Sequence, residues 1–224
     1  MPNHVICSVA SCDTFVNFFR SPKAPQAVVP IYIYNLKDHL KPFIYFNSEQ
    51  LTRKYALHDV VECIKHTHPI EVWDYSKVNV EILKQHGIQA TWVQIQSPES
   101  YLAKLRSWRT EILYDIGFCG SIGPRRQTIL DGLKETGLRV LILNTVGGDA
   151  RDQQLAKCKV ILNIHYAEDY QLFELARCEP WLAIGVPVIS ENSLDNDSRC
   201  MNVAYKDLVK TTVRICTIKN LSSY

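Results

Sequence analysis

Long apolar runs are missing from this sequence, and so are clusters of basic residues. No stretch approaches the roughly 20 apolar residues that a membrane-spanning helix needs. The 224 residues carry a formal net charge of +2, without a basic run or an alternation of aromatic and basic residues, which argues against a nucleic-acid partner. The first residues lack the basic start and apolar length of a signal peptide. These absences predict a soluble, cytoplasmic protein with no transmembrane segment.

Metal-binding and disulfide patterns are also lacking. None of the eight cysteines forms a C-x-x-C pair, and with no secretory signal we expect reduced, mostly buried thiols. His66 and His68 have no accompanying cysteine or carboxylate pattern, so we interpret them as part of a surface turn. Asp195 and Asp197 match an Asp-x-Asp motif in form, but they lie in a polar loop. We therefore expect no metal site.

What the sequence does contain is an alternation of strand-like and helix-like segments. Strands are predicted at 5–9, 27–34, 42–46, 70–73, 88–95, 116–119, 138–143, 158–164, 186–190 and 201–204. Helices are predicted at 14–20, 51–65, from Ser76 to Gly87, at 97–113, 124–136, 149–157 and 170–184, and from about Lys206. Pro30 marks its segment as an edge or interrupted strand. Continuous apolar strands that alternate with helices predict an α/β fold with parallel sheets covered on both faces.

A glycine turn connects a short predicted strand to a predicted helix in the second half. Gly120 and Ser121 lie in the turn, and Pro124 takes the first helical position, which tolerates its missing N–H. Such a turn collects unpaired N–H groups at the positive end of the helix dipole. Arg125 and Arg126 are badly placed for that dipole, which indicates a bound anion, since guanidinium groups match phosphate oxygens. The alternative is a solvated arginine pair, because the turn is neither a Walker A loop nor a dinucleotide motif.

In parallel α/β sheets, ligands bind at the carboxyl ends of the strands. The second half has its unusual polar residues at that edge, in segments 120–126, 144–149, 163–169 and 190–191. The first half has a comparable edge with Asn47, Glu49, Gln50, Asp74, Tyr75 and Ser76. Two Rossmann-like halves, residues 1–110 and 111–224, with facing polar edges predict a substrate cleft between two domains.

Four motifs in order give the second half a family likeness. They are Gly-Ser-x-x-x-Arg-Arg from Gly120, Lys157-x-Lys-Val-Ile-Leu-Asn-Ile-His165, Phe173-Glu-Leu-Ala-Arg177 and Gly185-Val-Pro-Val-Ile-Ser-Glu191. This set resembles the donor-binding half of GT-B glycosyltransferases, most nearly the compact glycosyltransferase family 1-like group. In the first half, Tyr45-Phe-Asn-Ser-Glu-Gln50 and Trp73-Asp-Tyr-Ser76 look like the acceptor half of that group.

The resemblance implies a role for each matching segment. The loop 120–126 would hold the diphosphate of a nucleotide sugar, and Asn163, His165 and the helix after them would line the nucleotide and sugar pocket. No metal or other cofactor is implied, because helix N-termini and basic residues neutralise the leaving diphosphate. Arg177 would contact the ligand. The alternative for this residue is a salt bridge with Glu174, three positions earlier.

The resemblance leaves the roles of the carboxylates open. Glu174, Glu179 or Glu191 would bind the ribose hydroxyls, because a carboxylate accepts from two neighbouring hydroxyls. Many retaining GT-B enzymes have two glutamates eight positions apart, and here Pro180 takes the place of the second. Inversion and retention of the sugar configuration both stay open.

An inverting enzyme needs a general base for the acceptor hydroxyl. Glu49 and Asp74 are the candidates, and helix capping is the alternative for both. The predicted function is transfer of a sugar from a nucleoside diphosphate sugar to a hydroxyl of a glycan, protein or small molecule. A non-catalytic nucleotide-binding or scaffold protein with a decayed GT-B fold is the second hypothesis. A flavodoxin-like receiver is a third, but it needs an acidic cluster at strand ends that the sequence lacks.

Overall fold

The structure is a computed structural model that describes residues 43–217, together with the backbone of two strands at 4–7 and 28–30. The chain divides into two compact units, Met1–Pro98 and Glu99–Tyr224. Each unit contains a five-stranded sheet whose paired strands are parallel. The prediction of an α/β fold with parallel sheets is confirmed. The helix predicted at 14–20 lies outside the described residues.

The first unit has a sheet of order β2-β1-β3-β4-β5. Its strands are β1 (His4–Cys7), β2 (Val28–Pro30), β3 (Phe43–Asn47), β4 (Glu71–Asp74) and β5 (Thr91–Trp92). Helix α1 (Lys54–Thr67) connects β3 to β4, and α2 (Lys77–Gln85) connects β4 to β5. Strand β2 lies at the edge of the sheet and ends at Pro30, as expected of a residue that cannot donate a ladder hydrogen bond.

The second unit has a sheet of order β10-β9-β8-β6-β7. Its strands are β6 (Tyr114–Cys119), β7 (Val140–Leu143), β8 (Cys158–Asn163), β9 (Val188–Glu191) and β10 (Met201–Val203). Its helices are α3 (Glu99–Trp108), α4 (Pro124–Lys134), α5 (Gly148–Leu155), α6 (Leu175–Ala183) and α7 (Leu208–Thr217), with a 3₁₀ turn at Tyr205–Asp207.

Numbered within its own unit, each sheet has the same order, 2-1-3-4-5. In this doubly wound arrangement the order in which strands are added to the sheet reverses between the first and third strands, and the crevice outside their carboxyl ends is the usual ligand position. In the second unit those two strands are β6 and β8. The topology therefore indicates a ligand position at the residues that follow Cys119 and Asn163.

Both faces of the second sheet are covered, which explains why its strands are apolar without alternation. On one face Ile161 packs with residues of α3, α5 and α6. On the other face its neighbours Val160 and Leu162 pack with residues of α4 and α7. The cysteines of the described range are free, and five of these six are buried, as expected. No helix in the described ranges is long and apolar enough to cross a membrane.

Helix α3 belongs to the second unit, although the sequence-based boundary at residue 110 assigned it to the first. Tyr101 and Leu105 are buried in the second unit's core. The Tyr101 hydroxyl donates a 2.7 Å hydrogen bond to Asp152 of α5. The boundary therefore lies between Pro98 and Glu99.

Several predicted elements are shorter in the structure, including the helix predicted at 97–113, which is α3 (Glu99–Trp108). The strand predicted at 88–95 is confined to β5, which among the described strands lies at the edge of the sheet and pairs with β4 alone. The helix predicted at 170–184 begins at Leu175. The preceding segment is held by the loop before β10, because the Phe173 N–H donates to Asp195 (2.7 Å) and the Leu194 N–H donates to the Gln171 carbonyl (2.9 Å). Glu174 is consequently the N-cap residue of α6.

Candidate functional site

The candidate site lies at the carboxyl ends of β6, β8 and β9, where the second sheet has its switch point. Pro124 is the first residue of α4, as predicted, and the first helical hydrogen bond runs from Gln127 N–H to the Gly123 carbonyl (2.9 Å). Within the part of the chain that the structure describes, the N–H groups of Ser121, Ile122 and Gly123 donate no hydrogen bond. Those donors are thus available to a ligand at the positive end of the helix.

Gly120 is required where β6 passes into this loop. Its φ is +131°, a conformation that side chains disfavour. An added Cβ would lie 2.7 Å from Nη2 of Arg177 and 3.3 Å from Nη1 of Arg126. The backbone therefore approaches two guanidinium groups more closely than any other residue allows.

Arg126 points inward from the first turn of α4 and is 3% exposed. Its Nε donates to the Ile164 carbonyl (2.8 Å), and its Nη1 donates to the Ser121 carbonyl (2.9 Å). Its Nη2 donates to Oε1 of Glu174 (2.7 Å). Burial lowers the Arg126 pKa to about 10, against the opposing attraction of Glu174, so the group stays charged near neutral pH.

Glu174 also binds Arg177, which completes a largely buried triad of Arg126, Glu174 and Arg177, with side chains that are 4%, 16% and 12% exposed. The second carboxylate oxygen lies 2.5 Å from Nη2 of Arg177, the salt bridge considered as the alternative for that residue. Nη1 of Arg177 donates to Oδ1 of Asn163 (3.0 Å). Both guanidinium groups lie over the Phe118 ring, at 5.3 and 5.4 Å from its centroid. Two arginines and one glutamate leave the triad with one uncompensated positive charge.

Arg125 lies on the more exposed side of the same helix turn. Both of its terminal nitrogens donate hydrogen bonds to the Glu191 carboxylate at the end of β9. The bond from Nη1 is 2.6 Å long. The Tyr205 ring stacks 3.8 Å from the guanidinium carbon, and its hydroxyl donates to the Arg125 carbonyl (2.8 Å). Burial acts to lower the Arg125 pKa, but the pairing with Glu191 outweighs it and the pKa is raised.

His165 lies between these charged groups and is 2% exposed. Its backbone N–H donates to Oε2 of Glu191 (3.0 Å), and its Nε2 lies 3.1 Å from the Ser193 hydroxyl. Its other ring nitrogen, Nδ1, is buried without a hydrogen-bond partner within the described residues. Burial lowers the His165 pKa, which favours the neutral imidazole. A buried polar atom without a partner is rare, and a ligand or a water is the usual explanation.

The structure thus brings together all nine residues predicted for the donor side. They are Gly120, Ser121, Arg125, Arg126, Asn163, His165, Glu174, Arg177 and Glu191. Contacts with a ligand stay a prediction, because the carboxylates Glu174 and Glu191 are bound here by arginines. Glu179 lies within α6 and is 3% exposed.

The aromatic side chain at the site, Tyr166, was not predicted from the sequence. Tyr166 follows His165 directly and is 39% exposed. Its ring lies over Gly123, where an added Cβ would come within 3.1 Å of it, and 5.4 Å from the Arg126 guanidinium carbon. Its position three residues beyond the end of β8 was the available signal.

The two base candidates lie in the first unit, in different environments. The Asp74 carboxylate is fully buried and accepts hydrogen bonds from Asn47 (2.6 Å), the Ser76 N–H (2.8 Å) and Asn79 (3.1 Å). Glu49 is partly exposed and pairs with Arg53 at 3.0 Å. Neither carboxylate caps its helix in the usual N-cap position, because those positions belong to Ser76 and Arg53.

Metal ligands are not grouped in the described ranges. No set of three or more His, Cys, Asp and Glu residues there has an arrangement suited to a metal ion. The Asp195–Asp197 segment instead binds protein groups, Asp195 accepting from the Phe173 N–H and Asp197 pairing with Arg199.

The chain is similar to uncharacterized proteins of Acanthamoeba polyphaga mimivirus. Uncharacterized protein L138 is 35% identical over 185 residues, which are 80% of this chain and 20% of that protein. For uncharacterized protein L137 the values are 36% over 183 residues, 80% and 24%. For uncharacterized protein L140 they are 31% over 170 residues, 75% and 54%. The chain thus spans a fifth to about a half of these relatives. No family model and no solved structure matches the chain.

Proposed function

We propose that this chain is a compact GT-B glycosyltransferase whose second unit binds the diphosphate of a nucleotide sugar. The observation that carries the proposal is the largely buried triad of Arg126, Glu174 and Arg177, with its net positive charge, next to the N–H groups of Ser121, Ile122 and Gly123, which have no hydrogen-bond partner among the described residues. Both features lie at the switch point of a 2-1-3-4-5 sheet, the usual ligand position in such folds.

The charge balance supports an anionic ligand. A buried charge without a partner is costly, and the triad has two cations for one anion. A diphosphate oxygen at the loop satisfies the N–H donors and the spare charge together. Arg125, which is partly exposed, lies in the same helix turn, but its charge is balanced by Glu191. The unpartnered Nδ1 of His165 is an additional group that a ligand can satisfy.

The proposed reaction breaks the bond between the sugar's anomeric carbon and the diphosphate oxygen, and forms a bond from that carbon to the acceptor oxygen. The positive loop stabilises the negative charge that develops on the leaving diphosphate. The acceptor hydroxyl loses its proton to a base. Glu49 suits this role better than Asp74, because the Asp74 carboxylate is fully buried and already accepts hydrogen bonds from Asn47, Ser76 and Asn79.

The experiment is release of nucleoside diphosphate from a panel of UDP-, GDP- and ADP-sugars, with and without magnesium. We expect release with one nucleotide family, independent of magnesium. Arg126→Ala and Glu174→Ala should each abolish most of it, whereas the control Arg139→Ala, which removes an exposed ion pair with Asp115, should not. Circular dichroism of each variant separates lost activity from lost folding. Unchanged release in both folded site variants would sink the proposal.

A non-catalytic nucleotide-binding protein is the second candidate. The observation in its favour is that arginines already occupy the Glu191 and Glu174 carboxylates. These are two of the three glutamates among which the resemblance places the one that binds the ribose hydroxyls. This candidate predicts that nucleoside diphosphates raise the melting temperature while no nucleotide sugar is consumed. A ligand at a hundred times its Kd stabilises by about 2.7 kcal/mol, which a melting curve resolves.

A further inference from the structure

We propose that Tyr166 is the platform on which the nucleobase of the bound nucleotide stacks. This inference rests on the proposed diphosphate site and adds to it the residue that selects a nucleotide over other diphosphates. The observation behind it is an exposed aromatic ring placed directly on the N-cap of the helix that receives the phosphates.

The position of the ring suits this role. Three of its atoms, Cε2, Cζ and the hydroxyl oxygen, lie within 3.1 to 3.5 Å of the point where Gly123 would carry a Cβ. Gly123 is the N-cap of α4, so the ring adjoins the N–H groups proposed for the diphosphate. The nucleobase of a nucleoside diphosphate, which one ribose joins to the diphosphate, lies within reach of the ring.

Two neighbouring side chains, Tyr170 and Arg126, contact the Tyr166 ring and hold its orientation. The Tyr170 ring meets it edge to face, with centroids 5.6 Å apart and planes at 63°. The Arg126 guanidinium carbon lies 5.4 Å from the Tyr166 centroid. These contacts limit rotation of the ring, and 39% of the residue is left exposed to solvent. A braced aromatic ring with an open surface binds a planar partner at small entropic cost.

A nucleobase fits this surface better than a sugar. Stacking on an aromatic side chain needs only a π-face, which every base has. A sugar in the same place needs hydrogen-bond partners for its hydroxyls, and the carboxylates of the site, Glu174 and Glu191, are already engaged by arginines. Stacking on its own gives only modest discrimination between bases in binding, because it uses no base-edge contacts, so the selectivity expected for turnover of one nucleotide family has to come from other contacts.

The test compares equilibrium binding of four probes to the full chain: pyrophosphate, ribose 5-phosphate, UDP and ADP. We expect wild type to bind both nucleotides more tightly than pyrophosphate. Tyr166→Ala should weaken nucleotide binding by about 5- to 150-fold, the equivalent of roughly 1–3 kcal/mol per stacked base, and leave pyrophosphate binding within about twofold. Tyr166→Phe should bind nucleotides nearly as wild type does. Tyr55→Ala, which removes a tyrosine that is 84% exposed in the first unit, is the matched control.

The outcomes separate the two proposals. An equal loss of pyrophosphate and nucleotide binding in Tyr166→Ala overturns the platform alone, because the ring then acts only by positioning the loop and Arg126. The same holds if Tyr166→Ala weakens ribose 5-phosphate as strongly as UDP, since the sugar is then the stacked group. If wild type binds neither pyrophosphate nor UDP nor ADP, the diphosphate site is overturned as well.

Discussion

Gly120 is the residue where backbone and side chains are most tightly coupled. Two separate effects oppose any substitution there: the φ of +131° and the guanidinium nitrogen 2.7 Å from a prospective Cβ. The other glycines of the second unit allow these effects to be separated. Gly137 has a φ of +80° but open space around it, and Gly147 has open space and an ordinary φ of −124°.

We predict that Gly120→Ala lowers the free energy of unfolding more than Gly137→Ala, and that Gly147→Ala has the smallest effect. A left-handed backbone alone costs about 1–3 kcal/mol for a residue with a side chain. Gly120→Ala adds displacement of Arg177, for which overpacking costs about 1–3 kcal/mol more. Urea unfolding of the three variants measures this order. Equal effects of Gly120→Ala and Gly137→Ala would show that Arg177 moves away without cost.

Glu174 pairs with two largely buried arginines, so removing Glu174 and removing one arginine should lower the free energy of unfolding by different amounts. Glu174→Ala leaves Arg126 and Arg177 facing each other without a carboxylate, and breaking such a buried pair costs about 3–5 kcal/mol. Arg126→Ala leaves Glu174 paired with Arg177 and removes mainly hydrogen bonds, at about 1–3 kcal/mol. We therefore predict that Glu174→Ala is the more destabilised variant in urea unfolding. Pyrophosphate should stabilise Glu174→Ala more than it stabilises wild type, because the anion replaces the lost carboxylate. A larger loss of unfolding free energy in Arg126→Ala than in Glu174→Ala would contradict this charge balance.

His165 predicts a pH dependence. Burial lowers its folded pKa below the ordinary value of 6.5, so the unfolded chain binds a proton more readily between these two values. The stability that neutral His165 contributes is fully present above pH 6.5 and is lost as the pH falls towards the folded pKa. Urea unfolding between pH 7.5 and 5 should show a smaller loss of stability in His165→Gln than in wild type. An exposed histidine changed in the same way, His86→Gln, should follow wild type; a wild-type slope in His165→Gln would contradict the assignment.

At the scale of the element, the alternation of strands and helices was predictable, and so was the edge that carries the site. Continuous apolar strands such as 158–164 indicated parallel pairing, and the parallel-sheet rule then placed Gly120, Asn163 and Glu191 at one edge. The start of α6 was not predictable, because hydrogen bonds from Phe173 to Asp195, 22 residues away, hold the preceding segment out of the helix. The pairing of Arg125 with Glu191 spans 66 residues and follows from the fold, not from spacing.

At the scale of the whole molecule, the boundary between the units carries a prediction about independent folding. A fragment of residues 99–224 includes α3, whose Leu105 is fully buried in the second unit's core, whereas a fragment of residues 111–224 lacks it. Each fully buried large apolar side chain contributes about 1.5–3 kcal/mol. We predict that the longer fragment unfolds cooperatively in urea and that the shorter one is less stable by several kcal/mol. Tyr101→Phe in the longer fragment should cost only about 0.5–1.5 kcal/mol, for its bond to Asp152; equal stability of the two fragments would assign α3 elsewhere.

A titration of the full chain with a nucleoside diphosphate, followed residue by residue through the backbone amide signals in NMR, tests the diphosphate site at the loop. We predict that the largest changes fall on the N–H groups of Ser121, Ile122 and Gly123, with smaller changes at Arg125 and His165. We expect the same pattern with pyrophosphate and without magnesium. Binding that leaves the loop 120–123 unchanged, or no binding of either anion, would contradict a diphosphate site at this switch point.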